Sequence, residues 1–289
     1  MLLKGKTAIV YGAGGQVGRA VSRVFAREGA HVVLAARRLD GLHDLANEIG
    51  QATEIGPAKE IGQANDIGPA NDFGPANEIG PANEIGRITV AQVDALDREQ
   101  VERHAAEVVE TTGRLDISIN AVSIGGHLQG RRLVDMPAED FVTPVRLAMT
   151  ANFLTATAAA RHMVERGSGV ILTLSTSASR LSGRDQKFHA TGGFSVACGA
   201  VETFTRTLAA EVGPRGVRVV CLRPDALPET WPSFEGEAGK VQTYMADGTV
   251  LGRLPRLAEV AETAAFLASD RASAITGAVA NLSCGSVLD

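Results

Sequence analysis

Within its first 28 residues the chain commits to a strand, a tight turn and a helix. Thr7–Tyr11 (TAIVY) is an unbroken run suited to a strand. A glycine-rich turn follows, and helical spacing then holds from about Gln16 to Glu28, where Gly29 supplies a C-terminal stop. A strand feeding a helix through so short a turn is the opening half of a parallel crossover. The rest of the chain must supply strands and helices to match.

It does. The predicted strands after the first are His31–Ala35, Ile88–Val93, Ile117–Asn120, Val170–Leu174, Val217–Leu222 and Ala278–Leu282. Between them lie predicted helices at Leu39–Glu48, through Val101, Ala105, Val108 and Thr112 up to Gly113, and over a long stretch to Arg166 that stops at Gly167. Two more run through Val201, Phe204, Leu208 and Val212 to a stop at Gly213, and over Leu257–Ser269. Right-handed crossovers then make the fold class α/β: a doubly wound parallel sheet covered by helices on both faces, in a single domain spanning 1–289.

One segment breaks the rhythm. Residues 46–87 repeat a six-residue unit seven times, ANEIGQ, ATEIGP, AKEIGQ, ANDIGP, ANDFGP, ANEIGP and ANEIGR. The first copy ends the second helix, and the last leads into the third strand. Glycine in every unit and proline at 57, 69, 75 and 81 forbid a continuous helix. The expectation is a hexapeptide-repeat insertion in a surface loop, whose closure entropy grows slowly with length. The six-residue period also resembles the coils of left-handed β-helix acyltransferases, although Asn, Thr or Lys stands where those coils carry a small apolar residue.

A net charge of −5 argues against general affinity for nucleic acid or anionic membranes, so neither is an expected partner. Cys198, Cys221 and Cys284 are too far apart for a metal or redox pair and read as small buried hydrophobes. The histidines at 31, 43, 104, 127 and 162 show no ligand spacing; they read as structural or surface residues, and no metal is expected. The early first strand and the absence of any membrane-length apolar run lead to the expectation of a cytoplasmic protein.

The turn Gly12-Ala13-Gly14-Gly15-Gln16-Val17-Gly18 lies between a strand and a helix N-terminus, where backbone N–H groups and the positive dipole end can face a pyrophosphate. The alternative is a purely structural turn. The stretch resembles the T-G-x-x-x-G-x-G pattern of short-chain dehydrogenases/reductases, with Gly12 and Gly18 in register, Tyr11 for the Thr and Gln16 for the middle Gly. Further landmarks resemble that family in order. Asp94 stands at the adenine-contacting Asp, Asn120-Ala121-Val122-Ser123 at Asn-Asn-Ala-Gly, and Asn152 at the mid-helix Asn of the catalytic tetrad. In RPDALPET, Asp225 replaces a Gly and Thr230 matches the Thr that helps hold the nicotinamide carboxamide. The resemblance implies a Rossmann fold and an oxidoreductase acting on a small-molecule carbonyl or alcohol. It also implies a homo-oligomer, tetramer or dimer. Where NAD enzymes of this architecture end the second strand with an acid, this chain has Ala36, Arg37 and Arg38. A guanidinium can grip a 2′-phosphate, so NADP(H) is the expected cofactor, with Arg37 ahead of Arg38. Two solvated surface arginines are the alternative.

The same resemblance implies a Ser, a Tyr thirteen residues later and a Lys four residues after that. Counted so, Thr176 takes the Ser place, His189 the Tyr place and Gly193 the Lys place. An imidazole titrates near neutrality without a neighbouring ammonium, so losing Tyr and Lys together is coherent with a His189 general acid. A silent, cofactor-binding or scaffolding protein is the other reading. The segment from Pro228 to Leu251, with Trp231, Phe234, Tyr244 and Met245, is expected to cover an apolar substrate.

Overall fold

The computed structural model describes residues 1–53, 59–60, 87–124, 129–180, 190–231 and 237–288. The strands are β1 (Thr7–Tyr11), β2 (His31–Ala36), β3 (Lys59–Glu60), β4 (Ile88–Gln92), β5 (Ile117–Asn120), β6 (Gly169–Leu174), β7 (Val217–Pro224) and β8 (Val279–Leu282). The helices are α1 (Gln16–Arg27), α2 (Leu42–Thr53), α3 (Arg98–Thr112), α4 (Ala138–Arg166), α5 (Gly193–Val212), α6 (Glu237–Asp247) and α7 (Leu257–Ala268). All strands pair in parallel, in the order β3-β4-β2-β1-β5-β6-β7-β8. Seven full strands and the two-residue β3 at the edge thus form one doubly wound sheet.

Alternation along the strands splits the core in two. Ala8, Val10, Val32 and Leu34 face α1, α2 and α7, where Phe25, Leu45 and Ala264 are fully buried. Ile9, Tyr11, Val33 and Ala35 face α3, α4 and α5, where Val108, Met163 and Leu208 close the opposite side. Every residue of β1 is buried, as a central strand covered on both faces requires. From β1 the chain winds outward through β2 and β4, then crosses back to β5 on the other side of β1. The carboxyl ends of β1 and β5 therefore flank the crevice where ligands bind in such sheets.

Several boundaries differ from expectation. The second helix runs on to Thr53, through the first repeat and into the second, and Lys59–Glu60 pairs in parallel with Thr89–Val90 of β4. The remaining repeats lie outside the described residues. Gly213 does not end its helix in the left-handed region; at φ −55 it continues into a single 3-10 turn, and the left-handed stop falls on Gly216 at φ 77. There a Cβ would run into the carbonyl oxygen of Gly167, so close packing as well as φ selects glycine.

Candidate cofactor and active site

The β1–α1 junction distinguishes between its glycines. Gly12 has φ +78, and a Cβ on it would lie 2.7 Å from the carbonyl of Ala121 at the end of β5. A Cβ on Gly18 would strike the Gly12 oxygen and sit 2.8 Å from Ala13 Cα. These two glycines let α1 and β5 close onto the turn. Among the described residues, the neighbour at Gly14 is a Leu42 methyl at 3.9 Å, and Gly15, the N-cap of α1, meets the Gly12 oxygen at 3.4 Å. Gly14, Gly15 and Gln16 are exposed, while Val17 is half-buried. No side chain caps α1, and no acid lies in its first turn. An open, backbone-lined helix N-terminus results, and its chemistry fits a phosphate group.

The other expected cofactor residues line the same sheet edge. Arg37 and Arg38 follow β2, are exposed, and form no ion pair with any described residue; the Arg37 carbonyl accepts from Gln92 Nε2 at 3.1 Å. Asp94 follows β4 and uses Oδ1 to accept the Leu96 N–H at 3.0 Å, fixing the turn into α3. Asn120 is buried at the end of β5; its Oδ1 accepts from Val122 N–H (2.9 Å) and its amide donates to Thr155 Oγ1 of α4 (3.1 Å). Thr230 sits in the turn Pro228–Thr230, which packs beside α1, and its hydroxyl donates to the Leu227 carbonyl at 2.8 Å.

Beyond β6 the run Ser175-Thr176-Ser177-Ala178-Ser179 carries four hydroxyls. Ser175 and Ser179 donate to Glu202 Oε1 at 3.1 and 2.6 Å, and Ser177 donates to Asp225 Oδ1 at 2.7 Å. Thr176 alone is tied to no carboxylate. Its Oγ1 accepts the Ala178 N–H at 3.2 Å and lies 3.5 Å from Cys198 Sγ on α5. Burial pushes the Cys198 thiol up to about 11, outweighing hydrogen bonds to Thr176, so it is protonated at neutral pH and able to donate. Asn152 is buried on α4; its amide donates back to the Ala148 carbonyl at 2.9 Å while its Oδ1 finds no partner among the described residues. Ala148 in turn packs in one cluster with Ala197, Val201 and Cys221, which brings this part of α4 against α5 and β7.

The expected Lys place falls at a helix start. Gly193 is the first residue of α5, and a Cβ there would run into the carbonyl oxygen of Phe141 on α4, so no longer side chain fits. A count of seventeen residues from Thr176 fixes a spacing without knowing where α5 begins. His189 lies outside the described residues. The α5 side chain that meets Thr176 is Cys198, with Phe194 one turn before it. A signal existed in the helical pattern itself. Running back from Leu208, Phe204 and Val201 by threes and fours reaches Ala197 and Cys198 on the buried face.

Away from this edge, His31 Nε2 meets Thr89 Oγ1 at 2.6 Å, and His104 Nδ1 meets Tyr11 Oη at 3.3 Å within the core. No group of three metal-ligating side chains occurs among the described residues, and no described helix is long and apolar enough to cross a membrane.

A family model described as enoyl-(acyl carrier protein) reductase matches residues 71–286. Galactitol 2-dehydrogenase (L-tagatose-forming) of Cereibacter sphaeroides is 30% identical over 281 residues, covering 96% of this chain and 93% of that one. L-rhamnose 1-dehydrogenase (NAD(P)(+)) of Azotobacter vinelandii is 30% identical over 282 residues, covering 96% and 95%. Among solved structures, NAD+-bound xylitol dehydrogenase superposes with a TM-score of 0.78 at 19% identity, covering 99% of this chain and all of that one. A short-chain type dehydrogenase/reductase from Mycobacterium marinum gives 0.77 at 24%, with coverage of 99% and 97%. These two likenesses bear on the fold alone. The model match over about three quarters of the chain and the near full-length relatives agree with the glycine junction and the sheet order: the chain belongs to the short-chain dehydrogenase/reductase family.

Proposed function

We propose that this protein is an NADP(H)-dependent oxidoreductase acting on a small carbonyl or secondary alcohol, with Thr176 orienting the reacting oxygen and His189 moving its proton. The observation that carries the reading is the uncapped, acid-free N-terminus of α1 behind open glycines, with the exposed Arg37 and Arg38 at the end of β2. When bound, the nicotinamide supplies or accepts the hydride. The protein's own groups bind, orient and move the proton. The first-turn N–H groups of α1 face the pyrophosphate, and Arg37, backed by Arg38, holds the 2′-phosphate. Asp94 receives the adenine, and the turn ending at Thr230 holds the carboxamide end. Thr176 Oγ1 accepts from Ala178 N–H and lies 3.5 Å from the protonated Cys198 Sγ; with the thiol as donor, Thr176 keeps its own proton for the substrate oxygen. The His189 imidazole is the general acid for reduction and the base for oxidation. Two relatives named for galactitol and L-rhamnose favour a polyhydroxylated substrate over the apolar one that the Pro228–Leu251 segment suggests.

NADPH fluorescence titration, run beside NADH, tests the cofactor. The expected result is tighter binding of NADPH. Arg37→Asp should weaken NADPH at least about tenfold, the loss of one charge-assisted contact plus repulsion, and change NADH by no more than about threefold. If neither dinucleotide binds at millimolar concentration, the reading fails. His189→Ala should abolish turnover and spare NADPH affinity; an unchanged rate removes the imidazole from the mechanism.

A second reading rests on Cys198 and Phe194. With a neutral, buried thiol beside Thr176 and a phenyl ring one turn earlier, this face of α5 brings neither a cation nor a phenol to the hydroxyl. A catalytically silent NADP(H)-binding protein fits that composition, and NADPH binding without turnover across polyols, ketones and aldehydes selects it. On either reading we expect a homo-oligomer. Phe153 and Val196 stand more than two fifths exposed on neighbouring parts of α4 and α5, beside a groove of about 800 Å³ that includes Gly199 and Thr203. Light scattering checks the mass.

A further inference from the structure

We infer that Glu202, buried on α5, is a positioning residue that clamps the Ser175–Ser179 turn so that Thr176 presents its hydroxyl to the site. The inference deepens the proposed function and rests on its assignment of Thr176.

The carboxylate divides its work between its two oxygens. Oε1 receives both serine hydroxyls, Ser175 at 3.1 Å and Ser179 at 2.6 Å. Oε2 faces cations only, with Arg223 Nη1 at 3.5 Å, Arg206 Nη2 at 3.7 Å and Arg180 Nε at 4.0 Å. Glu202 is 2% exposed and Arg223 fully buried. An anion so placed is held by charge compensation from below and by hydroxyl donors from above. The two serines are the residues immediately before Thr176 and three after it, so one oxygen atom pins both ends of the turn that carries the Thr176 hydroxyl. Ser177 in the middle is held separately by Asp225. Backbone bonds shape the turn itself: Ser175 N–H donates to the Leu222 carbonyl at 2.9 Å, and Ser179 and Arg180 N–H donate to the Thr176 and Ser177 carbonyls at 3.2 and 2.8 Å. The carboxylate adds the tie to α5. Removing the serine hydroxyls therefore detaches the turn from α5 while leaving the Glu202–Arg223 charge pair in place, whereas removing the carboxylate charge does the reverse.

The test uses the full chain and reads the turn through Cys198, a fully buried residue whose thiol lies 3.5 Å from Thr176 Oγ1. In Ser175→Ala/Ser179→Ala, peptide-resolved labelling of Cys198 by N-ethylmaleimide should accelerate at least tenfold. NADPH affinity should stay within about threefold of the parent, and kcat should fall at least tenfold with KM little changed. If the double variant does not fold, Ser179→Ala alone should show the same changes at smaller size. Glu202→Gln retains an Oε1 acceptor for both hydroxyls, so its Cys198 labelling should stay close to the parent even as its melting temperature falls. Parent-like labelling in the serine variants overturns the inference, as does Glu202→Gln labelling as fast as they do. Should the parent bind NADPH yet turn over nothing, the proposed chemistry fails on that result, and the labelling comparison still decides the clamp.

Discussion

Acidification from pH 6.5 to pH 4 should cost this protein about 3 kcal/mol of folding stability through one residue, His104. Its ring lies in the core against Tyr11, edge to face at 5.7 Å between centroids, and its Nε2 has no partner among the described residues. Burial lowers its pKa from 6.5 to about 4, because a charged imidazolium there would be neither solvated nor paired. The folded state thus keeps the ring neutral while the unfolded chain takes up a proton as soon as pH drops below 6.5. More protons on the unfolded side means that stability is full above pH 6.5, declines through the window and levels off near pH 4, where the folded form also protonates. A difference of about 2.5 units at 1.36 kcal/mol per unit gives the size of the loss. Urea unfolding at half-unit steps of pH measures it. In His104→Phe, which keeps a ring in the cavity, the slope between pH 4.5 and 6 should drop by close to one proton's worth. An identical slope in both proteins would show that His104 is charged or exposed in the folded state. Carboxylates held low by arginines, such as Asp116 between Arg114 and Arg166, also lose stability in acid. Asp116 does so below its unfolded value of 3.8, beneath the window assigned to the histidine; glutamates such as Glu48 and Glu259, lowered from 4.5, lose theirs at the acid end of that window, equally in both proteins.

Most of the fold was legible because strand and helix periods are local. Thr7–Tyr11 and Ile117–Asn120 are observed at their predicted bounds, and the stops at Gly113 and Gly167 are both left-handed glycines. Legibility fails where a property depends on what a residue meets in space. Nothing local marks Glu202 and Arg223, and Asp225 stands out only as the replacement for a Gly in RPDALPET, yet all three are at least 97% buried, because they neutralise one another or bond to serines from a different element. His104 follows the same logic: three residues after Val101 on a predicted helix, it reads as structural or surface, and nothing local says that Tyr11 waits across the core. Counting from Thr176 to Gly193 is blind to packing for a related reason, since it assumes a fixed spacing. Cys198 reaches Thr176 because α5 starts at Gly193, a position fixed by its contact with Phe141. In the repeats, the sequence shows the period plainly, but parallel pairing of Lys59–Glu60 with β4 depends on an exposed sheet edge that no hexapeptide announces.

The glycines of the first turn show the same gap between motif and packing, and they support the second large prediction. As letters Gly14 and Gly18 are equivalent; as positions they are opposites. Gly18→Ala drives a methyl into the Gly12 carbonyl oxygen and to 2.8 Å from Ala13 Cα, both backbone atoms of a turn pinned between β1 and β5. Relief requires α1 to back away from the sheet, which loosens its contact with α7 and the Val21 and Phe25 packing beneath. Overpacking against backbone costs about 3 kcal/mol, or a fall of roughly 6–12 °C in Tm for a domain of this size. At Gly14 the backbone is outside the left-handed region and the nearest atom is a flexible Leu42 methyl at 3.9 Å. Gly14→Ala should therefore leave Tm within about 2 °C of the parent, with restricted unfolded-state freedom offsetting any small loss. Its effect should fall on the ligand. On the proposed reading the new methyl stands in the opening before the α1 N-terminus, and NADPH affinity drops about tenfold in a protein of parental stability. Calorimetry and fluorescence titration on the two variants separate the roles. Equal destabilisation by both would mean that the turn is packed throughout; an unchanged affinity in Gly14→Ala would mean that the dinucleotide, if bound, approaches α1 from another side.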